Sequence, residues 1–144
     1  MQQCQISLDI DTTNPTVALG VEVWVDNTLL LDVAQVDQLI PVTHIMHDTE
    51  NQHELRIILK NKLEQHTTID ADGNIVSDAR LVVNNVMFDQ IPLGQILIDQ
   101  AVYCHDNNSH THTVQEKFYG ELGCNGTVSL KFTTPIYVWL LENM

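Results

Sequence analysis

Residues 19–26 read Leu19-Gly20-Val21-Glu22-Val23-Trp24-Val25-Asp26, and their strict alternation decides the fold. In an extended chain successive side chains point to opposite faces. Leu19, Val21, Val23 and Val25 therefore share one side, and Gly20, Glu22, Trp24 and Asp26 the other. Upstream, Gln3 to Ile10 repeats the pattern, with Cys4, Ile6, Leu8 and Ile10 against Gln5, Ser7 and Asp9. Strands that are apolar on one face and polar on the other belong to antiparallel sheets with one solvated side. Asp26-Asn27 precedes the apolar run Leu29-Leu30-Leu31, which predicts a tight hairpin turn.

Further strands extend from this pair. Ile40 to Met46 is interrupted near its start by Pro41, which places it at a sheet edge because proline cannot donate to a ladder. Leu55 to Leu59 and Leu81 to Phe88 read as strands. Gln95 to His105 reads as β-rich through Ile96-Leu97-Ile98 and Ala101-Val102-Tyr103. Lys117 to Leu122 and Thr127 to Phe132 flank Gly123-Cys124-Asn125-Gly126, where Asn-Gly predicts a hairpin. Ile136 to Leu141 is a buried last strand or a short helix, and its Ile, Tyr, Val and Trp content favours the strand. Asp106 to Thr113 and Asn61 to Ser77 read as surface loops, the second carrying a small hairpin of its own. No stretch keeps a helical period over three turns. The expectation is an all-β chain, a single domain over residues 1–144, folded as an antiparallel β-sandwich or jelly roll.

Composition narrows the function. Hydrophobic residues make up 44%, enough for a core and too many for a disordered chain. Acidic residues outnumber basic ones by 19 to 6, giving a net charge of −13. That balance argues against nucleic acid and against an anionic membrane surface, both of which need clustered Lys and Arg. It favours cations, neutral polymers or other proteins as partners. The longest apolar run, Ile136 to Leu141, is far short of the roughly 20 residues of a spanning helix. Met1-Gln2-Gln3-Cys4-Gln5 does not read as a signal peptide. Cys4, Cys104 and Cys124, odd in number and widely spaced, read as reduced thiols of a protein made in a cytoplasm. The sequons Asn107-Asn108-Ser109 and Asn125-Gly126-Thr127 carry little weight in that setting.

Catalytic signatures are absent: no Gly-x-Ser-x-Gly elbow, His-Glu-x-x-His helix, phosphate-binding Gly-Lys loop or Cys-x-x-Cys. The chain therefore reads as a binding or assembly protein rather than an enzyme. Asp70-Ala71-Asp72-Gly73-Asn74 has the oxygen spacing and the glycine of a calcium loop, although no bidentate Glu follows at the EF-hand distance. A calcium ion there would draw on Asp70, Asp72 and Asp78, with Asn61 or Asn74 supplying amide oxygens. The competing reading is a β-turn at Asp72-Gly73 between Thr68-Ile69 and Ile75-Val76. His110-Thr111-His112, with His105 nearby, is a transition-metal candidate set against ordinary loop histidines. His44 and His47 fall on opposite faces of their strand. Trp24, on the polar face, is a platform for a sugar ring or a partner, or else ordinary packing under a covered face.

Two resemblances add expectations. The strand His53-Glu54-Leu55-Arg56-Ile57-Ile58-Leu59-Lys60-Asn61, a loop, and Asp78-Ala79-Arg80-Leu81-Val82-Val83-Asn84-Asn85-Val86 resemble the strand order of calcium-dependent xylan-binding modules, which are β-sandwiches. That likeness covers about 35 residues, and such a match is a hypothesis about a site. In that family an amide–acid pair after the first strand and an acid before the second help hold calcium. Here Asn61 is followed by Lys62, so the resemblance carries over only Asn61 and Asp78. Over nearly the whole chain, Leu8-Asp9-Ile10-Asp11, Asn14-Pro15-Thr16-Val17-Ala18-Leu19-Gly20, Ile91-Pro92-Leu93-Gly94-Gln95 and Phe132-Thr133-Thr134-Pro135-Ile136-Tyr137-Val138-Trp139-Leu140-Leu141-Glu142-Asn143-Met144 are similar to small structural proteins of tailed, T4-like marine cyanophages. This implies a virion component made in the host cytoplasm, without a cofactor, that contacts other virion proteins or copies of itself. A carbohydrate-binding module, with calcium and a polysaccharide partner, is the alternative.

Overall fold

The computed structural model describes residues 2–63, 67–106 and 113–144. Its first strand, β1 (Gln3–Thr12), alternates as the sequence predicts: Cys4, Ile6, Leu8 and Ile10 are all buried. β2 (Gly20–Val25) buries Val21, Val23 and Val25, and turns through Asp26 at φ 53 into β3 (Thr28–Val33). β4 (Ile40–His47) pairs with β1 alone and forms a sheet edge, with Pro41 opposite Asp9. β5 (Asn51–Lys60) buries Leu55, Ile57 and Leu59. β6 (Thr67–Ile69) and β7 (Ile75–Asp78) make the small hairpin expected between residues 61 and 77. β8 (Leu81–Phe88) runs along β1, with a bulge where Asn85 adopts φ 55 and its amide reaches Asp9. The remaining strands are β9 (Ile91–Pro92), β10 (Val102–Asp106), β11 (Thr113–Lys117), β12 (Glu121–Leu122) and β13 (Gly126–Thr134).

These strands form two antiparallel sheets, so the chain is a β-sandwich. One runs β12-β8-β1-β4, with β9 added on β8; the other runs β11-β10-β13-β5-β2-β3. The inward rows of the two sheets meet in one apolar core. Phe88 from the first sheet lies 4.9 Å from Phe132 of the second, ring centre to ring centre, and closes one end of the core.

Three expectations are corrected. The stretch Gln95 to His105 is not all strand, because residues 95–100 form the helix α1 (Gln95–Gln100), entered through Gly94 at φ 53. Ile96 is buried there and Leu97 packs on the core, so tertiary burial overrides the β propensity of Ile-Leu-Ile. Ile136 to Leu141 is likewise a helix, α2 (Ile136–Glu142). Ile136, Trp139 and Leu140 share the buried face at helical spacing, and Trp139 packs tilted against Phe88 at 5.5 Å and edge-on to Phe132 at 6.1 Å. The third correction concerns Asn125-Gly126, which does not close a hairpin. β12 pairs with β8 in one sheet while β13 pairs with β5 and β10 in the other, so the segment crosses between sheets. Gly126 is there for space: a Cβ on it would lie 2.3 Å from the Cys104 carbonyl oxygen.

Candidate functional site

The acidic loop sits at the tip of the β6–β7 hairpin, where its side chains serve the turn. Asp70 Oδ1 accepts from the backbone N–H groups of Asp72 and Asn74, both at 2.9 Å, and Gly73 takes φ 83. An Asx-type turn of this kind satisfies the carboxylate locally. Asp72 and Asn74 are exposed. Asp78 pairs with Thr67 at the opposite end of the hairpin, roughly 10 Å away at 3.3 Å per residue. Asn61, at φ 70, follows β5 and is exposed, its amide nitrogen 3.1 Å from where a Cβ of Gly20 would stand. The five residues proposed for calcium therefore divide into a tip group and a separate Asn61–Asp78 region. Among the described residues no three His, Cys, Asp or Glu side chains gather as metal ligands.

At the Asn61–Asp78 region a cation is already in place. Lys62 is buried, and its ammonium donates to Asp78 Oδ1 and to the Gly123 carbonyl, each at 2.5 Å. The Lys62 backbone is held by the Asn125 amide, which accepts from Lys62 N–H at 2.9 Å and donates to Lys62 C=O at 2.8 Å. These donors and acceptors do not fit a calcium ion without displacing the ammonium.

Of the histidines, His66, His110 and His112 lie outside the described residues. His44 is half-buried and His47 exposed, on alternate faces of β4 as expected. His105 Nε2 lies 3.0 Å from Glu116 across the β10–β11 pair. Sequence reasoning missed His53, which both ring nitrogens and the ring face hold in place. Its Nδ1 meets Asp26 Oδ2 at 2.7 Å, its Nε2 meets Thr134 Oγ1 at 3.1 Å, and its ring stacks on Phe132. Acid, imidazole and hydroxyl in that order match the layout of a nucleophilic triad. Here, however, Thr134 is 2% exposed and its hydroxyl donates to the Thr49 carbonyl. The hydroxyl points its proton away from the imidazole and no substrate can approach it. The chain is a polar clamp between the β2–β3 turn and the end of β13.

The six-stranded sheet presents an open outer face. Its registers align one row across every strand: Lys117, Val102, Ser129, Arg56, Trp24 and Leu29. Trp24 is half-buried, with Arg56 5.4 Å above its ring and its indole N–H donating to Glu22 at 2.9 Å. That indole donor, and then the Lys60 ammonium, hold the Glu22 carboxyl below the ordinary range. Lys60 is pushed up in turn by Asp32 and then Glu22. Trp24 thus lies within a charged, solvated network instead of under a covering layer.

Two adjoining depressions share the Glu54 and Lys131 side chains of this face. The larger, about 620 Å³, lies at the end of the sheet against Asp26, Gln52, His53, Phe132, Thr133 and Trp139. The second, about 490 Å³, has Val102, Cys104, Thr127 and Ser129 as its floor, with Gln100 and Gln115 at its sides. Glu54 and Lys131, direct register partners on β5 and β13, border both. Carboxylate, ammonium, amides and hydroxyls therefore line one elongated surface over a partly apolar floor. The sequence named none of these residues as a ligand-binding candidate, because only the strand order shows which polar faces adjoin.

No family model and no curated protein matches the chain. Among solved structures it is similar to vCBM60 in complex with galactobiose, at 17% identity over 88% of this chain and 96% of that one, with a TM-score of 0.48. It is similar also to the selenomethionine form of vCBM60, described as part of a link by circular permutation between two families of calcium-dependent carbohydrate-binding modules. That match has 16% identity over 88% of this chain and 89% of that one, with a TM-score of 0.48.

Proposed function

We propose that this chain is a non-catalytic module that binds a neutral polysaccharide across the outer face of its six-stranded sheet. The observation that carries the reading is the pair of adjoining depressions that share Glu54 and Lys131. An elongated, open surface suits a polymer better than a small molecule, which sits in an enclosing pocket. Hydroxyl-rich ligands need donors and acceptors side by side, and Glu54, Lys131, Gln52, Gln115 and Thr127 supply both. The net charge of −13 repels anionic polymers and leaves a neutral one compatible with this face. A glycan array of neutral oligosaccharides followed by isothermal titration tests the reading. Binding should weaken at least fivefold in Lys131→Ala and in Gln115→Ala with unchanged melting temperatures. Lack of any binding at millimolar glycan, or variants that bind like wild type, refutes it.

A second reading, a virion subunit, is favoured by the outer side of α2. Tyr137, Val138 and Leu141 are at least half exposed there, close to Met144 in sequence and exposed likewise. An apolar patch of this kind fits contact with another virion protein. Mass spectrometry of purified particles tests it: absence of the chain from particles, when it is abundant in infected lysate, removes this reading. The two readings are compatible in a virion component that touches host polysaccharide.

A further inference from the structure

We propose that the buried Lys62 ammonium is a tethered structural cation that ties three segments of this sandwich together, and that the chain needs no calcium to fold. The proposal stands apart from the sugar-binding face and does not rest on it. Lysine is almost never fully buried unless paired, because removing an ammonium from water costs several kcal/mol. Lys62 is 5% exposed, and the groups it meets come from distant parts of the chain. Asp78 ends β7, and Gly123 lies in the crossing segment before β13. One positive centre thus joins the end of β5, the end of β7 and the approach to β13, the cross-linking task of a structural metal.

The geometry also bars a second cation. A metal at Asp78 would stand against the ammonium, and like charges at contact repel strongly where water is excluded. The Asn125 amide fixes the Lys62 backbone from both sides, and the side chain itself is buried, 2% exposed.

Thermal melts of the full chain in 5 mM EGTA and in 5 mM calcium chloride test the proposal directly. Wild type should melt within about 1 °C in the two buffers, whereas a native-state ligand at saturating concentration raises the midpoint. Lys62→Met keeps the aliphatic stem and removes the ammonium's bonds to Asp78 and Gly123, so it should melt at least about 8 °C lower in both buffers. The double variant Lys62→Met/Asp78→Leu removes both charges and should recover at least half of that loss. A wild-type midpoint raised more than about 3 °C by calcium overturns the proposal, as does a Lys62→Met protein that melts with wild type. Should Lys62→Met fail to fold, the wild-type comparison and the double variant still decide. Neutral-glycan affinity measured in EGTA separates this outcome from a failure of the binding-surface reading.

Discussion

Replacing Trp139 by alanine tests the placement of α2, since strand and helix assign its residues to different faces. In a strand, Tyr137, Trp139 and Leu141 would share one side. In the helix, Trp139 shares the buried side with Ile136 and Leu140, while Tyr137 and Leu141 are 53% and 71% exposed. Trp139 is 5% exposed and contacts two aromatic rings, one from each sheet. Truncating a buried Trp to Ala costs about 3–5 kcal/mol, from lost apolar burial and the cavity left behind. A 144-residue chain has a total stability of roughly 7–20 kcal/mol at the usual range per residue, so this is a large share. The same truncation of Tyr137 or Leu141 should stay within about 0.5 kcal/mol. Urea unfolding followed by circular dichroism measures all three variants. In Trp139→Ala the remaining tryptophan, Trp24, gives an independent fluorescence signal. If Tyr137→Ala and Leu141→Ala each cost as much as Trp139→Ala, the helix and the core built on it are wrong.

Three further perturbations have defined outcomes. Gly126→Ala should destabilise by about 3 kcal/mol or more, because its Cβ would meet backbone and side-chain atoms of Cys104 and His105 at 2.3–2.6 Å. Gly73→Ala, at φ 83 in open space, should cost only about 1 kcal/mol, and equal losses would show that the crowding at Gly126 is absent. The Cys4 thiol is pushed up to about 11 by burial, then by the Asp48 and Asp89 carboxylates. Below about pH 9 both states keep the proton and the stabilisation is complete; between 9 and 11 only the unfolded thiol ionises, so stability falls as pH rises. Cys4→Ala should flatten that fall in pH-dependent melts, and an identical slope would sink the assignment. Asp26→Ala removes acceptors for His53 and for the Glu54 N–H, and should cost about 2 kcal/mol; denaturant midpoints equal to wild type would show that the clamp is idle.

The fold was legible wherever burial has period two. In β1 and β2 each inward residue named from the alternation is buried, because one face of each strand meets the core and the other meets water. The edge position of β4 was legible from Pro41, whose ring removes a donor. Legibility failed where β-branched or aromatic residues are buried on a helix. In α1 and α2 the residues follow the core and not their own propensity. It failed also at Asn125-Gly126, whose glycine answers a close backbone approach and whose asparagine answers the Lys62 backbone. For the site, Asp72-Gly73 was legible as a turn from local spacing. The clamp at His53 and the depressions at Glu54 and Lys131 were not, since their partners lie 27 to 81 residues apart in the chain.

The seat of β13 governs when this molecule can be finished. It lies between β5 and β10, so residues 126–134 complete a hydrogen-bond ladder with a strand made some 70 residues earlier and another with β10. While the ribosome is still making the chain, β5 waits with one open edge and β10 with another, each a template for a stray strand. Pairings of such long sequence separation close slowly, on the millisecond-to-second scale. The second sheet is therefore closed only after residues 126–134 have been synthesised, and the interval before β13 docks is when a chaperone, or a neighbouring nascent copy, has most to grasp.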